Sequence, residues 1–450
     1  MADHPRLTVL GAGHLGITHA VCMAAAGFEV LCADIDAERV ARLNAGQALI
    51  FEPGLEELLR AGLDSGRLAF TTSYLEVAEF GDVHFLCVGT PQVRDGHGAD
   101  LSQVEACIDT LAPMLMRPCL LVGKSTVPAG TAAAIAGRVA RLAPVAEAAE
   151  VCWNPEFLRE GHGVADTLRP NRIVAGVSSA RAERVLREIY AAQIDNGVEF
   201  FVTDLATAEL AKVAANAFLA TKISFINAVA DVCDAAGANV MVLARILGAD
   251  ARIGHAFLRP GLGFGGGCLP KDVRAFRARA AELGAGDALA FLREVDTINL
   301  GRRTRMVNIA CEAAGGSVAG KSICVLGAAF KPGSDDIRDS PALDVAQILH
   351  GLGAEITVHD PQAIENARRV WPQLTYADSV RTAATGAELV LLLTDWPEYA
   401  DINPSELAEI TAARRIVDGR YLLDPAVWRA AGWSYRACGI PDPARSSQLA

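Results

Sequence analysis

The sequence predicts an α/β protein in which two doubly wound domains are joined by a long central helix and a helical region. Three observations predict it. From Leu7 onward, short apolar runs (LTVL, EVLCADI, VHFLCVGT, CLLVGKST, NRIVAGV) alternate with helical stretches, the pattern of βαβ units whose parallel strands are covered on both faces. Between Asp204 and Gly237 the chain holds abundant alanine and no internal glycine or proline, which reads as one long helix. The strand pattern resumes at Ser322 with SICVLG, EITVHD, ELVLLLTD and RRIVDG, spaced by helical segments such as PALDVAQILHGLG. The expected domains are residues 1–203, 204–315 and 316–450, and the polar stretch after Pro441 (DPARSSQLA) reads as a frayed end.

Composition narrows the function classes. A chain of 450 residues is long enough for two or three cores. With 51% hydrophobic and 21% charged residues it is globular, and a formal net charge of -12 repels phosphate backbones, which excludes nucleic acid as the expected partner. Eleven cysteines occur without a C-x-x-C pair, so no metal is expected and they read as reduced thiols of the cytoplasm. The N-terminus passes straight into a strand, and no apolar stretch reads as reaching the roughly 18 residues of a membrane span.

The run GAGHLG follows strand LTVL and opens a helix, the setting a dinucleotide fingerprint requires. Gly11 permits the tight turn, Gly13 lets the backbone approach a pyrophosphate, and Gly16 packs helix on sheet; the first domain is therefore Rossmann-like. Asp34, at the end of the next strand, is placed to accept hydrogen bonds from a ribose and to disfavour a 2′-phosphate, which points to NAD. Arg39 follows closely enough to complicate that preference or to lie along the adenosine edge.

Residues 261–272 read GLGFGGGCLPKD. So many glycines suit neither helix nor core strand and make a loop built for close approach. Cys268 on that loop has Lys271 as a possible electrostatic activator and Asp272 as a possible proton acceptor, against the plainer alternative of an inert packed thiol. Lys212 and Asn216, four apart on the predicted long helix, share a face and can meet one substrate.

The ordered set GAGHLG, VGTP (88–91), KSTVPAG (124–130), NPEFLREG (154–161), ELAKVAANAFLATKISFIN, GFGGGCLPKD, GAAFKPGSDDIRDSP (327–341) and VDGR (417–420) resembles the UDP-glucose/GDP-mannose dehydrogenase family over nearly the whole chain. The resemblance implies a four-electron oxidation of UDP-glucose to UDP-glucuronate, consuming two NAD and passing through a thiohemiacetal and a thioester on Cys268. It implies that Lys212 stabilises alkoxide charge, that Asn216 and Asp272 assist, and that Thr126 positions the hydrolytic water. Glu156 and Asp272 are both candidates for the hydrolytic base, and the sequence assigns it to neither. By the same resemblance Thr90, Thr126, Glu160 and Arg338 lie at the cofactor. Glu156, Phe157, Lys212, Asn216, Phe264, Gly265, Lys331 and Arg420 lie at the substrate, and Arg252 reaches it from a neighbouring subunit of a homodimer or larger homo-oligomer. Residues 204–315 become the dimerisation region carrying the cysteine loop, and residues 316–450 a second Rossmann-like domain for the UDP-sugar.

The chain departs from the family pattern at His14 and Leu15, at Gly89, and at Gly267, where serine is common and a hydroxyl is lost. GDP-mannose is the near alternative substrate. A non-catalytic NAD or sugar-nucleotide sensor and a two-electron hydroxyacid dehydrogenase are the alternatives from other classes; neither needs Cys268.

Overall fold

Each predicted apolar run becomes a strand. The computed structural model describes residues 4–441, so the expected frayed tail lies outside the described residues. β1 (Leu7–Leu10), buried at every residue, pairs in parallel with β2 (Val30–Ala33) and β4 (Val83–Leu86). Adding β3 (Leu68–Thr71), β5 (Cys119–Gly123), β6 (Ala149–Trp153), β7 (Arg172–Gly176) and β8 (Glu199–Thr203) completes a sheet of order β3-β2-β1-β4-β5-β6-β7-β8. The expectation of a purely parallel sheet is corrected at one seam: β7 is antiparallel to β6, through Trp153 and Gly176.

The second sheet has order β11-β10-β9-β12-β13-β14, all parallel, from β9 (Ser322–Leu326), β10 (Glu355–His359), β11 (Thr375–Tyr376), β12 (Leu389–Leu392), β13 (Arg415–Asp418) and β14 (Ser434–Arg436). β12 and the Ile416–Val417 step of β13 are wholly buried. The doubly wound α/β class is borne out, with the long helix, Leu205–Ala236, joining the two Rossmann-like sheets. Two compact units result: one of Met1–Ala215 with Ala278–Gly286, the other of Asn216–Arg277 with Asp287–Ala450.

That helix also corrects the membrane reading. At 32 residues, with an 18-residue window of mean hydropathy 1.4, it is long and apolar enough to cross a bilayer. Five of its polar groups are nevertheless committed to the protein interior: Glu209, Lys212, Asn216, Ser224 and Asn227 are all buried. Ser224 Oγ donates to Val295 O at 2.7 Å, and the Gly261 N–H donates to Asn227 Oδ1 at 2.8 Å. Such contacts mark a core helix of a packed protein.

Inside the first sheet His84 is completely buried on β4, with Nδ1 2.7 Å from Thr8 Oγ1. Burial, aided by the Arg117 guanidinium, pushes its pKa down from 6.5 to about 4. Between those two values the unfolded chain binds the extra proton, so stability rises with pH across that window and is lost as pH falls through it. Urea unfolding is expected to show about 2 kcal/mol less stability at pH 5 than at pH 7 from this group. His84→Gln should remove that increment, whereas parallel pH profiles for the two proteins would contradict the assignment.

Candidate active site

In the first unit, the fingerprint builds a phosphate cradle. Gly11 has φ +94°, and a Cβ there would come within 3.0 Å of Cys87 O; a Cβ on Gly16 would lie 1.7 Å from Gly11 O. Around Gly13 a Cβ would meet nothing within 4 Å, which leaves an open approach. Gly13 also N-caps the helix His14–Ala25 without any side-chain cap, so the first amides of that helix face the opening with their partial positive charge. This fits a dinucleotide pyrophosphate. Asp34, expected at the ribose, turns part of its carboxylate back on the turn: Oδ2 accepts from the Ala12 N–H at 2.7 Å and from Arg39 Nη1 at 3.0 Å. Arg39 is thus the partner of Asp34. Gly16→Ala forces backbone against backbone and is expected to cost about 3 kcal/mol or more. NAD titration should show binding lost while circular dichroism still reports a folded chain; unaltered affinity would refute the close packing.

His14, a departure from the family pattern, has a structural use. Its Nε2 lies 3.1 Å from Glu52 Oε2, and Glu52 accepts from the Gly161 and Gly163 N–H groups at 2.8 and 2.7 Å. Glu52, which the sequence reading missed, therefore ties the fingerprint helix to the end of NPEFLREG, where half-buried Glu160 sits.

At the other end of that segment, Glu156 Oε1 pairs with Lys212 Nζ at 3.0 Å, the side chains only 13% and 5% exposed. The Leu158 N–H donates to Glu156 Oε2 at 2.5 Å. Phe157 stacks under the Arg172 guanidinium, 3.7 Å from the ring centre, with Lys212 Nζ at 5.7 Å. Nearby, Thr90 Oγ1 donates to Thr126 O at 2.8 Å, linking the ends of β4 and β5. The turn after Thr126 is held by Glu209, whose carboxylate accepts from Gly130 and Ala132 N–H groups at 2.7 and 2.5 Å. Burial raises the Glu209 pKa, offset in part by these two amides and by Arg279. Glu209 precedes Lys212 by three residues on the same helix, a spacing that would have flagged it.

In the second unit, Cys268 is exposed, while nine of the other ten cysteines are buried and Cys311 is half-buried. The glycines before it make close approaches to the protein itself. Added Cβ atoms would lie 2.4 Å from Asn299 Oδ1 at Gly263, 2.1 Å from Asp339 O at Gly265, 2.8 Å from the Phe330 ring at Gly266 and 2.5 Å from Arg338 Cζ at Gly267. At Gly267, where serine is common in the family, the Arg338 guanidinium lies against the backbone. Phe264 is fixed at both ends, its N–H donating to Asn299 Oδ1 at 2.7 Å and its carbonyl accepting from Asn299 Nδ2 at 2.9 Å.

Cys268 O accepts from the Asp272 N–H at 2.9 Å, which opens the helix Leu269–Glu282. The Asp272 carboxylate is buried, accepting from Asn216 Nδ2 at 2.7 Å, with Lys271 Nζ 2.8 Å from its other oxygen. Lys271, expected beside the thiol, thus places its charge on Asp272. Lys212 and Asn216 lie one turn apart on the long helix, and each is paired with a carboxylate of its own unit.

Arg420 donates to Leu393 O at 2.8 Å, Gly263 O at 3.1 Å and Phe330 O at 3.3 Å. With Asn227, Arg259, Gly261, Gly263 and Asp395 it lines a cavity of about 190 Å³. Arg259 and Asn227 were missed in the sequence. Asn227 lies eleven residues after Asn216, three helical turns on the same stripe, which was the available signal. Lys331 Nζ sits 5.4 Å from the Phe330 ring centre. Arg338 forms a two-oxygen pair with Asp336. Arg252 is 89% exposed and paired with Asp250.

Sequence profiles of one family match the chain in order: its NAD binding domain over residues 5–194, its central domain over 206–300 and its UDP binding domain over 324–425. A UDP-glucose 6-dehydrogenase of Rhizobium meliloti is 40% identical over 97% of this chain and 100% of its own. The structure of a UDP-glucose dehydrogenase from Pyrobaculum islandicum superposes with TM-score 0.89 at 37% identity, covering 98% of this chain and 99% of that one. A GDP-mannose dehydrogenase of Pseudomonas aeruginosa gives TM-score 0.53 at 26% identity, covering 93% and 97%. With all three domains present in order and relatives matching end to end, the chain belongs to the UDP-glucose/GDP-mannose dehydrogenase family and is an NAD-dependent oxidoreductase.

Proposed function

We propose that this protein oxidises UDP-glucose to UDP-glucuronate in two successive two-electron steps. The carrying observation is Cys268: an exposed thiol on a rigid glycine loop, in a chain that also builds a dinucleotide cradle. Neither a sensor nor a two-electron hydroxyacid dehydrogenase has use for it. UDP-glucose is favoured over GDP-mannose by the near-complete likeness to UDP-glucose dehydrogenases, against the weaker superposition on a GDP-mannose enzyme.

Gly11, Gly13, Gly16 and Asp34 would hold NAD, assisted by Thr90, Thr126, Glu160 and Arg338. Bound NAD supplies the hydride acceptor for each oxidation. Lys212, buried as an ammonium beside Glu156, stabilises alkoxide charge as each hydride leaves. The Cys268 sulfur adds to the aldehyde carbonyl, which becomes tetrahedral and can then release its second hydride. The thioester that results is cleaved by water. Glu156 is the stronger candidate for taking that water's proton, because its side chain is 13% exposed against 2% for Asp272, so water reaches it more readily. Arg420, Lys331, Phe264 and Gly265 would hold the nucleotide sugar.

The central helix exposes Phe218, Phe225 and Val232, seven residues apart and each more than half exposed. A seam of this spacing suits a second copy of the same helix, which supports a homodimer with Arg252 donated across it. The free thiols of the described residues support the cytoplasm as the compartment. The direct test offers UDP-glucose, GDP-mannose and an N-acetylated UDP-sugar with NAD and follows NADH. UDP-glucose should give a kcat/KM at least about tenfold above the others; preference for GDP-mannose would overturn the substrate assignment.

A further inference from the structure

A second cavity, of about 60 Å³, lies in the first unit beneath the Asn154-Pro155-Glu156 turn, walled by His19, Lys124, Asn154, Glu156, Phe157 and Tyr190 among others. Its lining mixes apolar side chains such as Phe157, Leu158 and Ile173 with polar groups that are incompletely satisfied. Lys124 is buried, and its ammonium reaches only neutral acceptors: Asn154 Oδ1 at 2.9 Å, the Tyr190 hydroxyl at 3.3 Å and Asn154 O at 3.4 Å. His19 is 1% exposed, and its Nε2 has no hydrogen-bond partner. Burial and the Lys124 charge both lower its pKa, so the imidazole is neutral and offers one donor and one acceptor. Asn154 is pinned by Tyr190, whose hydroxyl donates to Oδ1 at 2.6 Å, and by Val174 O, which accepts from Nδ2 at 2.7 Å.

Polar cavities of this size take up water where apolar ones stay dry, and the room suits about four molecules. We propose that this cavity is a store of ordered water serving Glu156, the carboxylate in its wall, with Lys124 and His19 as positioning residues for the hydrolytic step. The inference rests on the reaction proposed above. In that step a water oxygen attacks the thioester carbonyl, the C–O bond forms and the C–S bond breaks. One water proton passes to Glu156, and the Cys268 sulfur leaves as thiolate and is reprotonated; no electrons change hands. Lys124 offers water oxygens an ammonium, and the Glu156 and Asp166 carboxylates of the same wall offer water protons an acceptor, so water held there is oriented between them.

The test compares wild type with His19→Leu and Lys124→Met, using NAD and UDP-glucose in stopped flow. Both variants should keep a burst of two NADH per subunit, then turn over at least about tenfold more slowly, with the acyl group on Cys268 visible by intact mass. Hydroxylamine, which attacks a thioester without an ordered site, should restore turnover and yield the hydroxamate. Unchanged turnover, or slowed turnover without burst and without hydroxylamine rescue, would overturn the proposal. If Lys124→Met does not fold, His19→Leu carries the kinetic test alone. Independently, a crystal structure of the wild type should show ordered water in the cavity, and a dry cavity would overturn it. Failure of the wild type to make any NADH from UDP-glucose would instead strike the proposed function, and leave the crystallographic test standing.

Discussion

Cys268→Ala is expected to lower UDP-glucuronate formation by at least about a thousandfold, with NAD affinity within about twofold of wild type. The size follows from the chemistry: an aldehyde cannot give up hydride until a nucleophile has made it tetrahedral, and removing a covalent nucleophile costs several orders of magnitude. The selectivity follows from position. The thiol is exposed on its loop, so its loss opens no cavity, and the cradle at Gly11, Gly13 and Gly16 belongs to the other compact unit. The loop backbone is held by Asn299, by the Arg338 carbonyl and by Arg420. Product analysis beside NAD titration checks both halves. Acid formation at wild-type rates would remove the covalent step.

Lys212→Ala is expected to lower kcat by about a hundredfold or more, and to reduce stability as well. Two effects combine. The ammonium is a donor to developing alkoxide, a role worth about 3 kcal/mol of barrier. It is also the cation paired with Glu156 at 3.0 Å, and removing one partner of a buried pair typically costs about 3–5 kcal/mol because the other charge is left uncompensated. Lys212→Ala with Glu156→Gln should therefore recover much of the stability while activity stays low. The double variant isolates the pairing role through Tm, and the alkoxide role is read from the NADH burst of Lys212→Ala alone; a burst at wild-type rate would mean that Lys212 acts only on Glu156.

Legibility from sequence tracked burial. Strands buried on both faces, such as β1, β4 and β12, write continuous apolar runs and were readable. β3, β8, β11 and β14, edge strands or next to edges, were not: β8 is EFFVT with Phe201 and Val202 exposed, and β11 is two residues long. A strand packed on one side has no apolar run to show. β6 was missed too, and although β7 was read from NRIVAGV, its antiparallel direction leaves no signature in local pattern. In the site, the glycines, Cys268 and the fingerprint announce themselves because their backbone demands are local. Glu52 and Asn299 act by reaching backbone groups far along the chain, and tertiary contacts of that kind leave no periodicity. The purpose of the glycines changed most. They read as a loop built for close approach, and the groups that approach them are Asn299, Asp339, Phe330 and Arg338.

The central claim is a four-electron oxidation through one thiol, and its most direct measurement is the ratio of NADH formed to UDP-glucose consumed at completion. Two NADH per sugar, with UDP-glucuronate as the product, is the predicted result. One NADH per sugar with the aldehyde as product would contradict it.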